Sequence, residues 1–326
     1  MRIGLIDIDY NGSFPNIALM KISAWYKSQG DEVEFYMPFS DRYDRVYVSK
    51  VFSFSPDYQD CINANEVFCG GTGYQIRLEN GKEVYSWNAF GKKNFICTLN
   101  NEAEHVYPDY SLYPKLTKDT AFGFLTRGCP RGCSFCHVSD KEGRRSIKVA
   151  NLSEFWRGQK NIVLCDPNIL ACKDWKQLLQ QLIESKAKID FNQGLDARLM
   201  TEEKAAMLGE IKLKEIHFAW DRYDDKDAVL SGLKLYSSFA KKRPHDHNAI
   251  VYTIVNYDTD IEQDLERIYT LREMGYWAYV MIYDKEHSKE VYKHLARWVN
   301  NRTIFAVCKN FDEYFEKIKY EQRMEW

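Results

Sequence analysis

Short apolar runs recur between residues 121 and 283, and this repeat constrains the fold more than any other feature of the sequence. Each run has the length and the β-branched or aromatic content of a buried strand. Helix-like stretches follow the later runs, at Asp174–Ser185, Glu202–Leu208 and Ile261–Met274. Because strands that alternate with helices form parallel sheets, we predict a partial (β/α)6 TIM-type barrel. Its predicted strands are Ala121–Leu125, Asn161–Cys165, Ile189–Gln193, Glu215–Trp220, Ile250–Asn256 and Trp277–Tyr283.

The first 71 residues show a second α/β pattern. One helix-like stretch, from Ile17 to Trp25, lies among four strand-like runs at 3–8, 33–36, 44–49 and 66–71. This order predicts an N-terminal Rossmann-like parallel sheet. A polar segment from about 75 to 115 is interpreted as a linker. We therefore expect two domains, one over residues 1–112 and a barrel with a C-terminal extension over residues 113–326.

Composition narrows the class of protein. The chain has 326 residues, 45% of them hydrophobic, and a formal net charge of −2, so charge does not indicate a nucleic-acid partner. No stretch approaches the roughly 20 apolar residues of a membrane span, so we expect no membrane partner. Nine cysteines without an export signal favour thiol or metal chemistry over a disulfide framework. We expect a cytoplasmic protein.

Three of the nine cysteines lie together in the segment Thr126–His137, directly after the first predicted barrel strand. Cys129, Cys133 and Cys136 have the spacing C-x3-C-x2-C, and Gly128 and Gly132 give their loop conformational freedom. Clusters with complete protein ligation use four cysteines, so three thiolates leave one iron open, as catalytic zinc sites keep an open position. We interpret the three cysteines as metal ligands in an active-site loop.

Other interpretations of this segment are possible. Cys133 to His137 matches the C-x-x-C-H haem attachment motif, but that motif requires export and leaves Cys129 unused. A structural zinc ion needs four ligands, and the adjacent Cys136 and His137 cannot easily both reach one ion. Three buried free thiols would not account for the spacing. A metal-cluster scaffold that binds a partner without turnover is the non-enzymatic alternative.

The cysteine spacing, with Phe135 before the last cysteine, resembles the signature of the radical S-adenosylmethionine superfamily over about residues 115–290. The resemblance implies a 4Fe–4S cluster whose open iron is chelated by S-adenosylmethionine. Reductive cleavage of this cofactor would give a 5′-deoxyadenosyl radical, which abstracts hydrogen from a substrate that the sequence does not identify. It also implies an electron donor such as flavodoxin or ferredoxin, and contact of Phe135 with the adenine.

Polar residues follow the other predicted strands, where cofactor contacts are expected. The superfamily often has a Gly-Gly-Glu-type motif after the second strand, and Asp166 or Asn168 would take its place here. An Asp-Pro-Asn turn, an Asp196–Arg198 surface pair and a helix cap at Asp221 are the structural alternatives. His217 is interpreted as a core residue. The candidate cofactor-binding residues are Phe135, Asp166, Asn168, Gln193, Arg198, Asp221 and Asn256.

The N-terminal pattern resembles the cobalamin-binding domain found in one class of radical enzymes. Glu66–Gly73 is similar to that domain's Gly-Gly segment, where missing side chains let a ligand approach. The lower-ligand motif Asp-x-His-x-x-Gly is absent, and residues 1–75 contain no histidine. Base-off binding through histidine is therefore excluded, and a cobalamin-dependent radical methyltransferase is kept as an alternative only.

Two further groups of polar residues are open to both a functional and a structural interpretation. A basic run near the cysteines could meet an anionic substrate or a reductase, although a solvated face is the default. It consists of Lys141, Arg144, Arg145 and Lys148. At predicted strand ends and loops, Asp7, Asp9, Asn16 and Lys50 could line a substrate pocket or serve as caps and turns.

Overall fold

The computed structural model describes residues 1–79, 82–240 and 249–324 of a mixed α/β chain with two parallel sheets. The chain divides into two compact units, Met1–Lys188 and Ile189–Trp326. This division does not coincide with the predicted domain boundary after residue 112, which stays a prediction. No helix in the described ranges is long and apolar enough to cross a membrane.

Ten strands match the predicted ones to within two residues at each end, because β-branched and aromatic runs bounded by turn residues favour the extended backbone. Five short strands that were not predicted bring the total in the described residues to fifteen. The fifteen strands are β1 Arg2–Asp7, β2 Glu32–Phe35, β3 Tyr43–Ser49, β4 Ala64–Gly70, β5 Ile76–Glu79, β6 Lys82–Tyr85, β7 Phe95–Ile96, β8 Thr120–Gly123, β9 Thr126–Arg127, β10 Ile147–Lys148, β11 Asn161–Leu164, β12 Lys188–Leu195, β13 Leu213–Ala219, β14 Ala249–Val255 and β15 Trp277–Ile282.

Four helices match the predicted stretches, over residues 17–28, 175–185, 202–210 and 261–273. Seven that were not predicted bring the number of α-helices in the described residues to eleven. The eleven helices are α1 Ile17–Ser28, α2 Asn101–Glu104, α3 Pro114–Thr117, α4 Val138–Glu142, α5 Trp175–Ser185, α6 Glu202–Glu210, α7 Lys226–Phe239, α8 Ile261–Glu273, α9 Glu290–Asn300, α10 Arg302–Val307 and α11 Phe311–Met324. Side chains cap several of them, as Asn16 does for α1 and Thr201 for α6.

In the first unit, five parallel strands form a sheet in the order β2-β1-β3-β4-β7. The fully buried Ile3 and Leu5 of β1 pack with Leu19 of α1, and this apolar contact covers one side of the sheet. Residues 75–115, predicted as a linker, contain the antiparallel hairpin β5–β6 and the edge strand β7. That segment therefore forms part of the unit.

The second sheet has six parallel strands in the order β15-β14-β13-β12-β11-β8. They are the six strands that the repeat predicts. The described residues contain no closed barrel. A six-stranded partial barrel does not require closure, so the TIM-type part of the prediction stays a prediction.

Within the second unit, burial alternates along the strands. Ala278 and Val280 of β15 are buried, whereas Tyr279 and Met281, which point to the opposite face, are exposed. Helices α8 and α9 pack against this strand. Trp298 of α9 is fully buried among aromatic rings that include Phe305 and Phe311, so the C-terminal helices share one core with the sheet.

Candidate functional site

The cysteine loop begins just beyond the carboxyl end of β8. Two short strands, β9 and β10, pair in antiparallel register and hold the base of the loop, with Arg127 opposite Ile147. The Cys129 amide donates to the Gly143 carbonyl at 3.1 Å, and the Cys136 amide donates to the Cys133 carbonyl at 3.0 Å. All three cysteines are half-buried. Their thiols are thus held on a short ordered loop and remain reachable.

Gly128 lies where the start of the loop packs against the backbone of residues 142–145. Gly128 has φ +83°, and a Cβ at this position would lie 2.2 Å from the Arg145 carbonyl oxygen, so no other residue fits. The Gly128 amide donates to Glu142 Oε2 at 3.0 Å, while Arg127 donates to Glu142 Oε1 at 2.8 Å. Glu142 therefore joins α4 to the start of the loop. Gly132 also has a positive φ, +59°, as its predicted role in the loop requires.

Asp166 holds the other end of the connection between β8 and the loop. It follows β11, is 4% exposed, and its Oδ1 accepts hydrogen bonds from the Leu125 amide at 3.1 Å, the Thr126 amide at 2.5 Å and the Thr126 hydroxyl at 2.7 Å. These donors lie four and three residues before the first cysteine in sequence. The carboxylate thus fixes the backbone just before the cysteine loop. Its predicted contact with the cofactor stays a prediction.

Burial raises the pKa of Asp166 to about 6, although the Thr126 and Leu125 donors oppose this shift. The folded state therefore binds the proton more tightly than the unfolded state does, and this carboxyl's contribution to stability falls as pH rises from about 4 through about 6. The Asp166→Asn variant lacks this titrating group and serves as the reference. We expect the free energy of unfolding of the wild type, relative to that of the variant, to fall by up to about 3 kcal/mol between about pH 4 and pH 6. Urea unfolding at several pH values measures it; a difference independent of pH would contradict the assignment.

Asn168 lies two residues further on and reaches the loop directly. It is 3% exposed, and its Nδ2 donates to Cys129 Sγ at 3.5 Å. A predicted cofactor-binding residue thus contacts a predicted metal ligand. An amide N–H aimed at a thiolate sulfur is a contact that tunes iron–sulfur sites.

The remaining candidates lie in the second unit and are described separately. Gln193 is exposed on β12. Arg198 Nε donates to Asp196 at 2.7 Å and its Nη1 donates to Asp225, so two carboxylates already hold the guanidinium. These contacts favour the structural interpretation of Arg198, the ion pair with Asp196, extended here by Asp225.

Asp221 and Asn256 also have local partners. The Asp221 carboxylate accepts from the Ile254 amide at 3.4 Å, and burial raises its pKa to about 6. Asn256 adopts φ +63°, and its side chain donates to the Tyr283 carbonyl at 3.1 Å, which fixes the turn after β14. His217 bonds the Phe191 carbonyl at 2.7 Å and stacks on Tyr252, in keeping with a core residue.

The N-terminal polar residues have partners within their own unit. Asn16 caps α1 and donates to Asp7 and Ser49, while Tyr113 donates to Asp7 at 2.6 Å. Burial raises the pKa of Asp7, and the Tyr113 and Asn16 donors oppose that shift. Asp9 accepts from the Val51 amide. These contacts correspond to the cap-and-turn interpretation.

In the Gly-Gly segment of the N-terminal unit, the space beside Gly71 is occupied by the chain's own backbone. Gly71 has φ +102°, and a Cβ there would lie 2.1 Å from the Lys50 carbonyl oxygen. The adjacent backbone of Lys50 thus occupies the space that a ligand would need at this glycine. The cobalamin alternative stays a prediction.

The described part of the chain contains no group of three or more His, Cys, Asp or Glu side chains arranged around one metal ion. Such a group is what a structural zinc ion requires. In a cuboidal cluster each cysteine sulfur binds a different iron, so its three thiols need not converge on one point. The donor set, three thiols on one loop, has the chemistry that iron–sulfur clusters use.

Two side-chain contacts around the loop were not predicted from the sequence. Glu142 belongs to no motif, and its role depends on the return of α4 to Gly128. Lys141, predicted as part of a solvated basic run, instead donates to Thr72 Oγ1, while Arg144 and Arg145 are exposed as expected.

Comparison with known protein families and with curated proteins finds no match to this chain.

Proposed function

We propose that this protein is a radical S-adenosylmethionine enzyme that acts on a substrate by hydrogen abstraction. The observation that carries the proposal is the ordered loop with Cys129, Cys133 and Cys136 beyond the carboxyl end of β8. Active sites of parallel β/α folds lie at this end of the strands. The finer fold, a Rossmann-like domain followed by a partial TIM-type barrel, belongs to the same proposal.

The chain's own residues would hold and shield the cluster. Cys129, Cys133 and Cys136 are the proposed ligands. The hydrogen bonds that Asp166 and Glu142 accept from the backbone before Cys129 hold their loop in place. When bound, a 4Fe–4S cluster with an open iron supplies the electron that splits S-adenosylmethionine into methionine and the 5′-deoxyadenosyl radical, which takes a hydrogen atom from the substrate. Phe135, on the same loop, is proposed to lie against the adenine.

The resemblance implies an external electron donor, and we infer that the electron comes from a partner protein. Arg144 and Arg145 are exposed directly after α4. Two exposed guanidinium groups next to the loop would attract an acidic protein surface. This charge supports docking of a small acidic donor such as flavodoxin or ferredoxin.

Asn168 offers a specific prediction for the cluster. Its N–H donates to Cys129 Sγ at 3.5 Å, and such bonds stabilise the more negative, reduced cluster. Asn168→Ala is therefore expected to lower the reduction potential by a few tens of millivolts, on the order of one hydrogen bond. Potentiometric titration followed by electron paramagnetic resonance measures it. A potential equal to or higher than that of the wild type would show that this hydrogen bond does not tune the cluster.

The proposed function is tested on the intact chain after anaerobic reconstitution with iron and sulfide. We expect a brown protein with roughly four irons per chain. After reduction with dithionite, it should convert S-adenosylmethionine to 5′-deoxyadenosine and methionine. A chain that takes up zinc but no iron, or that binds iron and does not cleave the cofactor, would refute the proposal. Retention of hydroxocobalamin through gel filtration would instead favour the methyltransferase alternative.

A further inference from the structure

Lys141 is a partly buried cation that lacks a carboxylate partner. It lies on α4, five residues after Cys136, and its Nζ donates to the hydroxyl of Thr72. Among the described residues, no Asp or Glu lies within ion-pair distance of this ammonium group, and its sequence neighbour Glu142 pairs with Arg127. Desolvation lowers the pKa of Lys141, and the nearby charge of Glu142 opposes this shift without outweighing it.

Three other partly buried cations of the same unit have carboxylate partners. Lys50 Nζ lies 2.8 Å from Asp57, Lys21 Nζ lies 2.6 Å from Glu104, and Arg127 lies 2.8 Å from Glu142. A charge that is removed from water without a counter-ion destabilises the fold. Lys141 departs from this pattern, so its position calls for an explanation other than stability.

The surroundings of Lys141 are suited to an oxyanion. Thr72 follows the carboxyl end of β4 and begins a 3₁₀ turn, and both Thr72 and Lys141 stay partly exposed, so a ligand can reach them. An ammonium group beside a hydroxyl offers N–H and O–H donors to one anionic oxygen group. In parallel α/β sheets, ligands bind beyond the carboxyl ends of the strands, which is where Thr72 lies.

We propose that Lys141 and Thr72 bind an oxyanion group, a carboxylate or a phosphate, of the substrate. The assignment to the substrate rests on the proposed function, because it uses the closeness of Lys141 to the cysteine loop in the chain. The presence of an oxyanion site does not depend on it. The substrate class is therefore an anionic molecule, whose charged group is held a short distance along the chain from the radical-generating loop.

The site is tested by calorimetric titration of the reconstituted protein with inorganic phosphate and, separately, with acetate. Lys141→Met keeps the length of the side chain and removes the charge, and it is expected to weaken anion binding at least tenfold. Thr72→Val should weaken it several-fold. Lys148→Met is the matched control, since Lys148 lies in the same basic run but bonds Gln177 at 3.1 Å, and its affinity should equal that of the wild type. The anion that binds more tightly distinguishes a phosphate from a carboxylate.

Three results would overturn the inference. The first is that neither anion binds the wild type at 100 mM or below. The second is that Lys141→Met binds the anion as tightly as the wild type does. The third is that S-adenosylmethionine displaces the anion, which would assign the bound group to the cofactor. If Lys141→Met does not fold, acylation of the wild type with an amine reagent replaces it. Phosphate or acetate should then slow the labelling of Lys141 at least tenfold and leave that of Lys148 unchanged, and equal labelling with and without anion would overturn the proposal.

Iron content and 5′-deoxyadenosine formation, measured on the same preparations, separate the two proposals. Anion binding without cofactor cleavage would leave the oxyanion site and refute the radical function. Cofactor cleavage without anion binding would refute the oxyanion site alone.

Discussion

Replacing Cys129, Cys133 and Cys136 together with alanine is expected to reduce bound iron from roughly four per chain to background and to abolish 5′-deoxyadenosine formation. The three thiols are the proposed ligands of the cluster, and without thiolate ligands iron and sulfide have nothing on this loop to hold them. Because the three side chains are half-buried, alanine should leave the surrounding fold intact. Iron and sulfide analysis after anaerobic reconstitution, with chromatography of the reaction products, measures both effects.

The other six cysteines provide the controls for this experiment. Cys61 is exposed and Cys308 is half-buried, and both lie far from the loop in sequence. Cys61→Ala and Cys308→Ala should therefore retain the full iron content and the wild-type rate of cleavage. A triple variant that still binds the wild-type amount of iron, or a control variant that loses it, would show that the cluster is held elsewhere.

Replacing Arg267 with methionine is expected to destabilise the second unit by about 3–5 kcal/mol, the largest stability effect we anticipate. Arg267 and Asp264 are fully buried and form an ion pair at 2.5 Å. The guanidinium also donates to the carbonyls of Trp220, at 2.7 Å, Asp221, at 3.0 Å, and Ile254, at 2.6 Å. Methionine fills similar space but leaves a buried carboxylate without its cation and three carbonyls without this donor. The midpoint of urea unfolding measures the loss.

Two variants make this measurement specific. Lys293→Met removes an exposed i,i+3 pair with Glu290 on α9, at 3.0 Å, and should change stability by less than about 0.5 kcal/mol. The double variant Arg267→Met with Asp264→Leu removes both buried charges and should recover part of the loss, since the unpaired carboxylate causes most of it. An effect of Arg267→Met no larger than that of Lys293→Met would show that the pair is not structurally important.

The site could be predicted from sequence only in part. The cysteine loop and its glycines lie where the motif and the strand repeat predict them, and Asn168 contacts Cys129. The roles of the acidic and amide candidates are harder to read from sequence, because these residue types also serve as caps, turns and braces. Asp166 bonds the backbone ahead of the cysteines, and Arg198 bonds two carboxylates. Residue type and position at a strand end did not separate a ligand contact from a structural one.

Local sequence was sufficient for the strands of the two parallel sheets other than β7 and for the position of the cysteine loop after β8. Hydrophobic periodicity and motif spacing act over a few residues, so they can be read along the chain. The tertiary structure was needed for Asp166, whose donors lie 40 residues away, and for Lys141, whose partner Thr72 lies 69 residues away. Such contacts depend on how distant segments pack. The local sequence therefore does not predict that Lys141 is half-buried while its neighbours Arg144 and Arg145 are exposed.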